Sequence, residues 1–224
     1  MEFFRWFILP KKDEPKKKAY AWAIREDKVL LEGEVHTLRR FAHVLMTHGM
    51  KAKTFYLVRD WFTIELGLNA GLRVEEMAEL KTEDLFIVNH HSSVFVNHGK
   101  GDRKRTVKIS REFRDTCKLF LKLRQDFCLS NAAGNALLSS DTGKFITKRA
   151  LQKQFKTCIK KANLPEHYSI HCLRHTYATF LLRASGNLKL VQKQLGHSSI
   201  KTTEVYISLI EKDTDEALNK LYKK

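Results

Sequence analysis

Residues 171–206 concentrate side chains that can move protons, hold a phosphate and attack it. His171, Arg174 and His175 fall within five positions, and His197 and Tyr206 follow after an apolar run. An arginine suits a phosphate because its donors form a rigid planar fork that matches two oxygens. A tyrosine hydroxyl, with an ordinary pKa of about 10, is a weak nucleophile at neutral pH unless its neighbours help. A tyrosine beside phosphate-binding and proton-transfer groups therefore points to covalent phosphoryl transfer. His171 and Arg174 are three apart and share a face if the segment is helical. His197 and Tyr206 are too far apart for one helical turn, so only the fold can bring them to one site. Any one of these residues alone reads as a solvated or internally satisfied side chain; several in register do not.

The register is His171-Cys172-Leu173-Arg174-His175, then Leu195-Gly196-His197-Ser198-Ser199-Ile200-Lys201-Thr202-Thr203-Glu204-Val205-Tyr206. It resembles the catalytic C-terminal half of the tyrosine site-specific recombinases, the phage integrase family. Gly71-Leu72-Arg73-Val74-Glu75-Glu76 resembles the box that carries the family's first arginine. Gly99-Lys100-Gly101-Asp102-Arg103-Lys104-Arg105 resembles the β-hairpin that carries its lysine. The match runs from roughly residue 30 to 210, all in the family's order.

The resemblance implies a role for each matched residue. Arg73 and Arg174 would grip the non-bridging oxygens of one DNA phosphate, with Glu76 supporting Arg73. Tyr206 would attack in line to form a 3′-phosphotyrosine, and Lys100 would protonate the departing 5′-oxygen. His171 would act as general base, or as acid in the reverse step, and His197 would donate a hydrogen bond to the phosphate. No cofactor is implied, neither metal nor nucleotide, because the phosphotyrosine conserves the energy of the broken bond. Implied partners are double-stranded DNA and further copies of the chain, a homo-tetramer on DNA. Family members carry a helical DNA-clamping domain ahead of the catalytic one, whereas little chain precedes it here, so an accessory clamping protein is expected. Two rivals stand beside this reading. A type IB topoisomerase uses similar chemistry, but the Leu-Gly-His-Ser-Ser to Tyr206 spacing fits recombinases better. A non-catalytic DNA-binding or regulatory protein with a relic site would be favoured had Arg73, Arg174 or Tyr206 been replaced, and none is.

The elements that must position these groups read as mostly α with a small antiparallel three-stranded β-sheet, an α+β fold like a tyrosine-recombinase catalytic domain. Val35, Leu38, Phe41, Ala42, Leu45 and Met46 recur at helical intervals, with Gly49 as a C-cap. A second helical run extends from Phe55 to Leu68, ending near Gly67 and Gly71, and Arg73 opens a third. Leu85 to Val88, Ser93 to Val96 and Arg105 to Ile109 are β-branched-rich runs between polar turns. Lys100 falls in the Gly-Lys-Gly turn between the last two. Helices follow around Phe113 to Arg124, over Ala150 to Ala162 with Lys153, Lys156, Lys160 and Lys161 on a basic face, and after Pro165. Asn89-His90-His91 and His98 lack the spacing of a metal site. The division expected is a segment 1–28 with a charged linker, a catalytic domain 29–210, and a tail helix 211–224 carrying Ala217, Leu218 and Leu221.

Lys and Arg number 41 against 25 Asp and Glu, a net charge of +16 over 224 residues. The surplus is spread along the chain, which favours a polyanionic partner over a broad face. Cys117, Cys128, Cys158 and Cys172 form no Cys-x-x-Cys pair, and Arg5 interrupts an N-terminal apolar run too short for a signal peptide. Free thiols and a cytoplasmic location are expected. The charge makes a first prediction. If about six phosphates are contacted, log K for duplex DNA should fall against log salt with a slope near −5. Titrations at several salt concentrations check it, and a slope near zero would refute it.

Overall fold

The computed structural model describes residues 26–88, 91–97 and 104–197, together with Thr203 and Tyr206. Helix α2 (Phe55–Ala70) is the axis of the molecule, buried on nearly every side, with even Arg59 and Asp60 enclosed. Around it pack α1 (Glu32–Lys51), α4 (Arg111–Asp126), α5 (Lys148–Lys161) and α6 (His171–Ser185). The short α3 (Val74–Glu79) and α7 (Leu188–Leu195) complete the described helices. Strands β1 (Leu85–Phe86), β2 (Ser93–Val96) and β3 (Arg105–Lys108) form an antiparallel sheet in that order, with Leu85 opposite Val94 and Val94 opposite Val107. Those three side chains are buried while Phe86 and Phe95 are exposed, the alternation a one-sided sheet requires. No helix among the described residues is long and apolar enough to cross a membrane.

Two contacts of α2 set the position of everything around the histidines and arginines. On the α4 side, Phe62 stacks on Phe120 with ring centroids 3.8 Å apart and planes within 5°, and Phe55, Trp61 and Phe113 extend the cluster. On the α6 side, Gly67 and Gly71 let two helices approach closely. A β-carbon on Gly67 would lie 2.6 Å from Leu173, and one on Gly71 would lie 2.3 Å from Tyr177. Gly71 also ends α2 in the left-handed region (φ 59°), so the glycine serves both the close approach and the cap. A smaller apolar cluster of Val29, Ala178, Leu182, Val191, Leu195 and Tyr206 ties α6 to α7.

Caps explain where several helices begin. Ser110 and Thr147 accept hydrogen bonds from the backbone N–H groups of Phe113 and Ala150. Hence α5 starts at Lys148, two residues ahead of the expected Ala150. The Glu34 carboxylate closes the start of α1 by accepting from the Leu31 N–H at 2.8 Å, and it also accepts from the Tyr168 hydroxyl. Gly49 is not a C-cap. It lies inside α1, which runs to Lys51 with Ala52 as its cap, and a β-carbon there would meet the Thr54 carbonyl at 2.9 Å. The glycine makes room for the returning chain instead of ending the helix. The outer strands are shorter than their apolar runs, β1 stopping at Phe86 and β3 at Lys108. Most of the segment 1–28, Lys100 with its turn, and the tail 211–224 lie outside the described residues.

Packing at Gly67 predicts a measurable strain. Gly67→Ala should destabilise by about 1–3 kcal/mol, the usual cost of forcing a methyl into a filled core. Gly33→Ala, on the exposed first turn of α1 with open space around it, should be neutral or stabilising by up to about 1 kcal/mol. Denaturant midpoints of the two variants check the contrast, and equal midpoints would contradict it.

Candidate active site

Glu76 is the third residue of α3, and its position there dictates its first hydrogen bond. Its Oε2 reaches back to the Arg73 N–H at 2.8 Å, satisfying a donor that the helix start leaves open. Its Oε1 accepts from Arg73 Nη1 at 2.8 Å, as expected for residues three apart. A second arginine, not foreseen from the sequence, completes the carboxylate. Arg105, at the start of β3, donates from Nη1 to Oε1 at 2.7 Å and from Nη2 to Oε2 at 2.8 Å. Arg174 Nη1 stands 4.0 Å from Oε2.

Burial alone would raise the Glu76 carboxyl. The hydrogen bonds and charge of Arg105, the Arg73 N–H and the charge of Arg174 outweigh it and hold the group down at about 2. Glu76 is therefore ionised at any working pH.

Arg174 projects from α6 and is 5% exposed. Its Nη1 donates to the Gly71 carbonyl at 2.6 Å and its Nη2 to the Leu195 carbonyl at 2.9 Å. Both acceptors belong to helix C-termini, of α2 and α7, where carbonyls lack intrahelical partners and the helix dipole favours a cation. Burial, then the charge of Arg73, lowers the guanidinium to about 10, so it stays charged at neutral pH.

His197 follows the Gly196 cap of α7. Its Nε2 lies 3.0 Å from Arg174 Nη2 and its Nδ1 lies 3.0 Å from Thr203 Oγ1. A guanidinium can only donate, so Nε2 accepts and, in the neutral ring, Nδ1 carries the proton. Burial, then the charges of Arg174, Arg73 and Arg105, push the imidazole down to about 3 and keep it neutral.

Tyr206 is 1% exposed and packs in the α6–α7 cluster, with its hydroxyl 3.1 Å from His175 Nδ1. Burial pushes the phenol up to about 12, although the charges of Arg174 and Arg73 pull the other way. His175 is itself driven down to about 4, by burial and then by Arg174. No role was foreseen for this histidine. Its partner is 31 positions away, a separation that helical spacing alone does not reveal. His171 opens α6 on the same side, half-buried, and its charge reaches Glu75 and His175.

Arg73, Glu76, Arg174, His197 and Tyr206 thus come together from α3, α6, α7 and the segment after it, and Lys100 lies outside the described residues. Three guanidiniums share one carboxylate, leaving a local charge of 3 − 1 = +2. An excess of positive charge of this kind is suited to an anion such as a phosphate. Among the described residues no group of His, Cys, Asp and Glu is arranged to hold a metal ion.

The profile of the Phage integrase family matches residues 28–212. Tyrosine recombinase XerC of Psychromonas ingrahamii is 35% identical over 152 residues, covering 68% of this chain and 49% of that protein. XerC of Actinobacillus succinogenes is 37% identical over the same length, covering 50% of the relative. The chain spans about half the length of the curated relatives it matches. Among solved structures, XerA recombinase superposes with a TM-score of 0.69 at 26% identity, over 88% of this chain and 65% of that one. XerH site-specific recombinase bound to palindromic difH substrate gives 0.68 at 25% identity, over 87% and 53%.

The buried titratable groups predict acid sensitivity. His175 and His197 have folded pKa values of about 4 and 3 against 6.5, so the unfolded chain takes up their protons first. Their contribution is whole above pH 6.5 and is lost as pH falls towards 3. Glu76, held at about 2 against 4.5, extends the loss from pH 4.5 down to 2. Asp60 opposes this between 6 and 3.8, since burial raises its carboxyl to about 6. The two histidines outweigh it at about 1.4 kcal/mol per unit each. The thermal midpoint should fall steadily from pH 7 to 4 and go on falling below. A flat calorimetric profile over that range would refute the assignment.

Proposed function

The chain belongs to the phage integrase family, and from that premise we propose that it cuts and rejoins double-stranded DNA at specific sites through a 3′-phosphotyrosine. The observation that carries the reading is the meeting of Arg73 and Arg174 around Glu76, with the Tyr206 hydroxyl inside the field of both guanidiniums. XerH, a structural neighbour at 25% identity, was captured on its difH substrate in a post-cleavage complex, which supports DNA as the substrate here.

In this mechanism Arg73 and Arg174 hold the non-bridging oxygens of the scissile phosphate. Arg174 is fixed by two backbone carbonyls and Arg73 by Glu76, so neither must reorganise as charge builds on phosphorus. Tyr206 Oη attacks in line, the bond to the 5′-oxygen breaks, and Lys100 gives that oxygen its proton. The role of Lys100 rests on the sequence match. His171 receives the phenol proton, or returns one in the reverse step. His197 donates to the phosphate from Nε2 once its ring takes the other tautomer, with Nδ1 then accepting from the Thr203 hydroxyl. Rejoining runs the same steps backwards with a new 5′-hydroxyl and consumes no nucleotide. Recombination pairs two duplexes, so the working form is a homo-tetramer on DNA, in the cytoplasm.

The experiment is incubation with a nicked duplex carrying the target site, followed by a denaturing gel for covalent protein–DNA adducts. The parent should accumulate adduct. Tyr206→Phe should bind the duplex as the parent does and form none, since only the hydroxyl is lost and the fold should weaken by about 1 kcal/mol. Adduct at normal yield from Tyr206→Phe would identify another nucleophile, with Tyr168 and Tyr177 the nearest candidates in sequence.

A further inference from the structure

We propose that Arg105 is a positioning residue of this site: it locks the Glu76 carboxylate in the orientation that holds Arg73, and it fastens β3 to the cap of α7. The inference deepens the reading of Arg73 as a phosphate-gripping group and rests on it.

The geometry separates the two arginines. Arg73 gives one Nη to Glu76 and its side chain is 23% exposed, whereas Arg105 is 10% exposed and uses both ends of its fork on the same carboxylate. Arg105 Nε donates to the Gln194 carbonyl at 3.3 Å. All three nitrogens of its guanidinium are therefore engaged inside the protein, which suits a group that orients others and not one that grips a phosphate.

The surroundings are built for this side chain. Gly196 caps α7 with φ 67°, and a β-carbon there would lie 2.4 Å from Arg105 Cδ. The Gln194 side-chain amide meets the edge of β3 as another strand would. Its Oε1 accepts from the Lys108 N–H at 3.0 Å and its Nε2 donates to the Lys108 carbonyl at 3.3 Å. Strand β3 is thus held at both ends of its length, by Arg105 on the carboxylate and by Gln194 on the edge.

The competing position of Glu76 shows what Arg105 prevents. Arg174 Nη1 stands 4.0 Å from Oε2, too far for a hydrogen bond. Without the bidentate pair the buried carboxylate keeps only its two bonds to Arg73, and nothing then stops it from turning between Arg73 and Arg174. A turn towards Arg174 lengthens the bond to Arg73 Nη1 and loosens that side chain. A group misplaced by about an ångström can cost about a hundredfold in rate.

Two measurements on the full chain test this. The first needs no catalysis: ¹⁵N NMR of the free protein reads the hindered rotation of the Arg73 guanidinium. Arg105→Gln should abolish that hindrance, and an Arg73 that stays locked would overturn the proposal. The second is a double-mutant cycle on adduct formation with Arg105→Gln, Glu76→Gln and the pair. Arg105→Gln should slow adduct formation by about a hundredfold and should add nothing further in the Glu76→Gln background. An undiminished loss in that background would mean Arg105 contacts the phosphate itself, and an unchanged rate despite a lowered thermal midpoint would make it merely structural. Either result defeats the proposal. If the parent forms no adduct at all, the proposed function falls, while the NMR measurement still decides the role of Arg105.

Discussion

A single buried carboxylate carries the electrostatics of the pocket. Enclosing an ion without partners costs several kcal/mol, and enclosing three guanidiniums beside each other would cost more. Glu76 resolves both problems by accepting four hydrogen bonds, from the Arg73 N–H, the Arg73 side chain and both ends of Arg105. The arginines in turn hold it ionised. The remaining excess of two positive charges is not balanced from within this cluster; a phosphodiester would balance half of it, and a doubly charged pentavalent phosphorus the whole. The same excess, after burial, keeps His197 and His175 neutral. Removing that one negative charge would take from Arg174 a charge that favours its proton and from Arg73 and Arg105 their shared acceptor.

Helix ends supply the second set of fixed points. Arg174 spans from the C-terminus of α2 to that of α7, so one side chain joins the axis of the fold to its last described helix. Both ends are glycine caps in the left-handed region, and both glycines also clear space for a neighbour, Tyr177 at Gly71 and Arg105 at Gly196. A side chain at either position would be strained in its backbone and would collide with a residue that shapes the pocket. Close packing of Gly67 on Leu173 fixes the distance between α2 and α6, and with it the reach of Arg174.

Much of this was legible in the sequence, and the exceptions share a cause. The helical periods, the three β-branched runs and the Gly71, His171–Arg174 and Gly196-His197 motifs each report on local structure, which spacing can encode. The three-residue offset of Arg73 and Glu76 foretold their pairing. Arg105 and His175 were not legible, because their partners lie 29 and 31 positions away and depend on how strands and helices pack. Gly49 misled for the converse reason. A glycine near the end of a periodic run reads as a cap, yet here it serves a tertiary approach that only the returning chain at Thr54 explains.

Tyr206 sets the remaining physical demand. At 1% exposure its hydroxyl is enclosed by α6 and α7, and a phenol at about 12 lies roughly five units above neutral pH. Ionising it in place would cost about 7 kcal/mol at about 1.4 kcal/mol per unit. The arginines do not remove that cost, because burial outweighs their field. His175 cannot take the proton cheaply either, since its own imidazole is held near 4. In the proposed reaction the phenol must therefore exchange its apolar surroundings for the phosphate's side of the pocket. There the positive charge that now acts on it from a distance acts at contact, and proton loss can accompany the bond to phosphorus instead of preceding it.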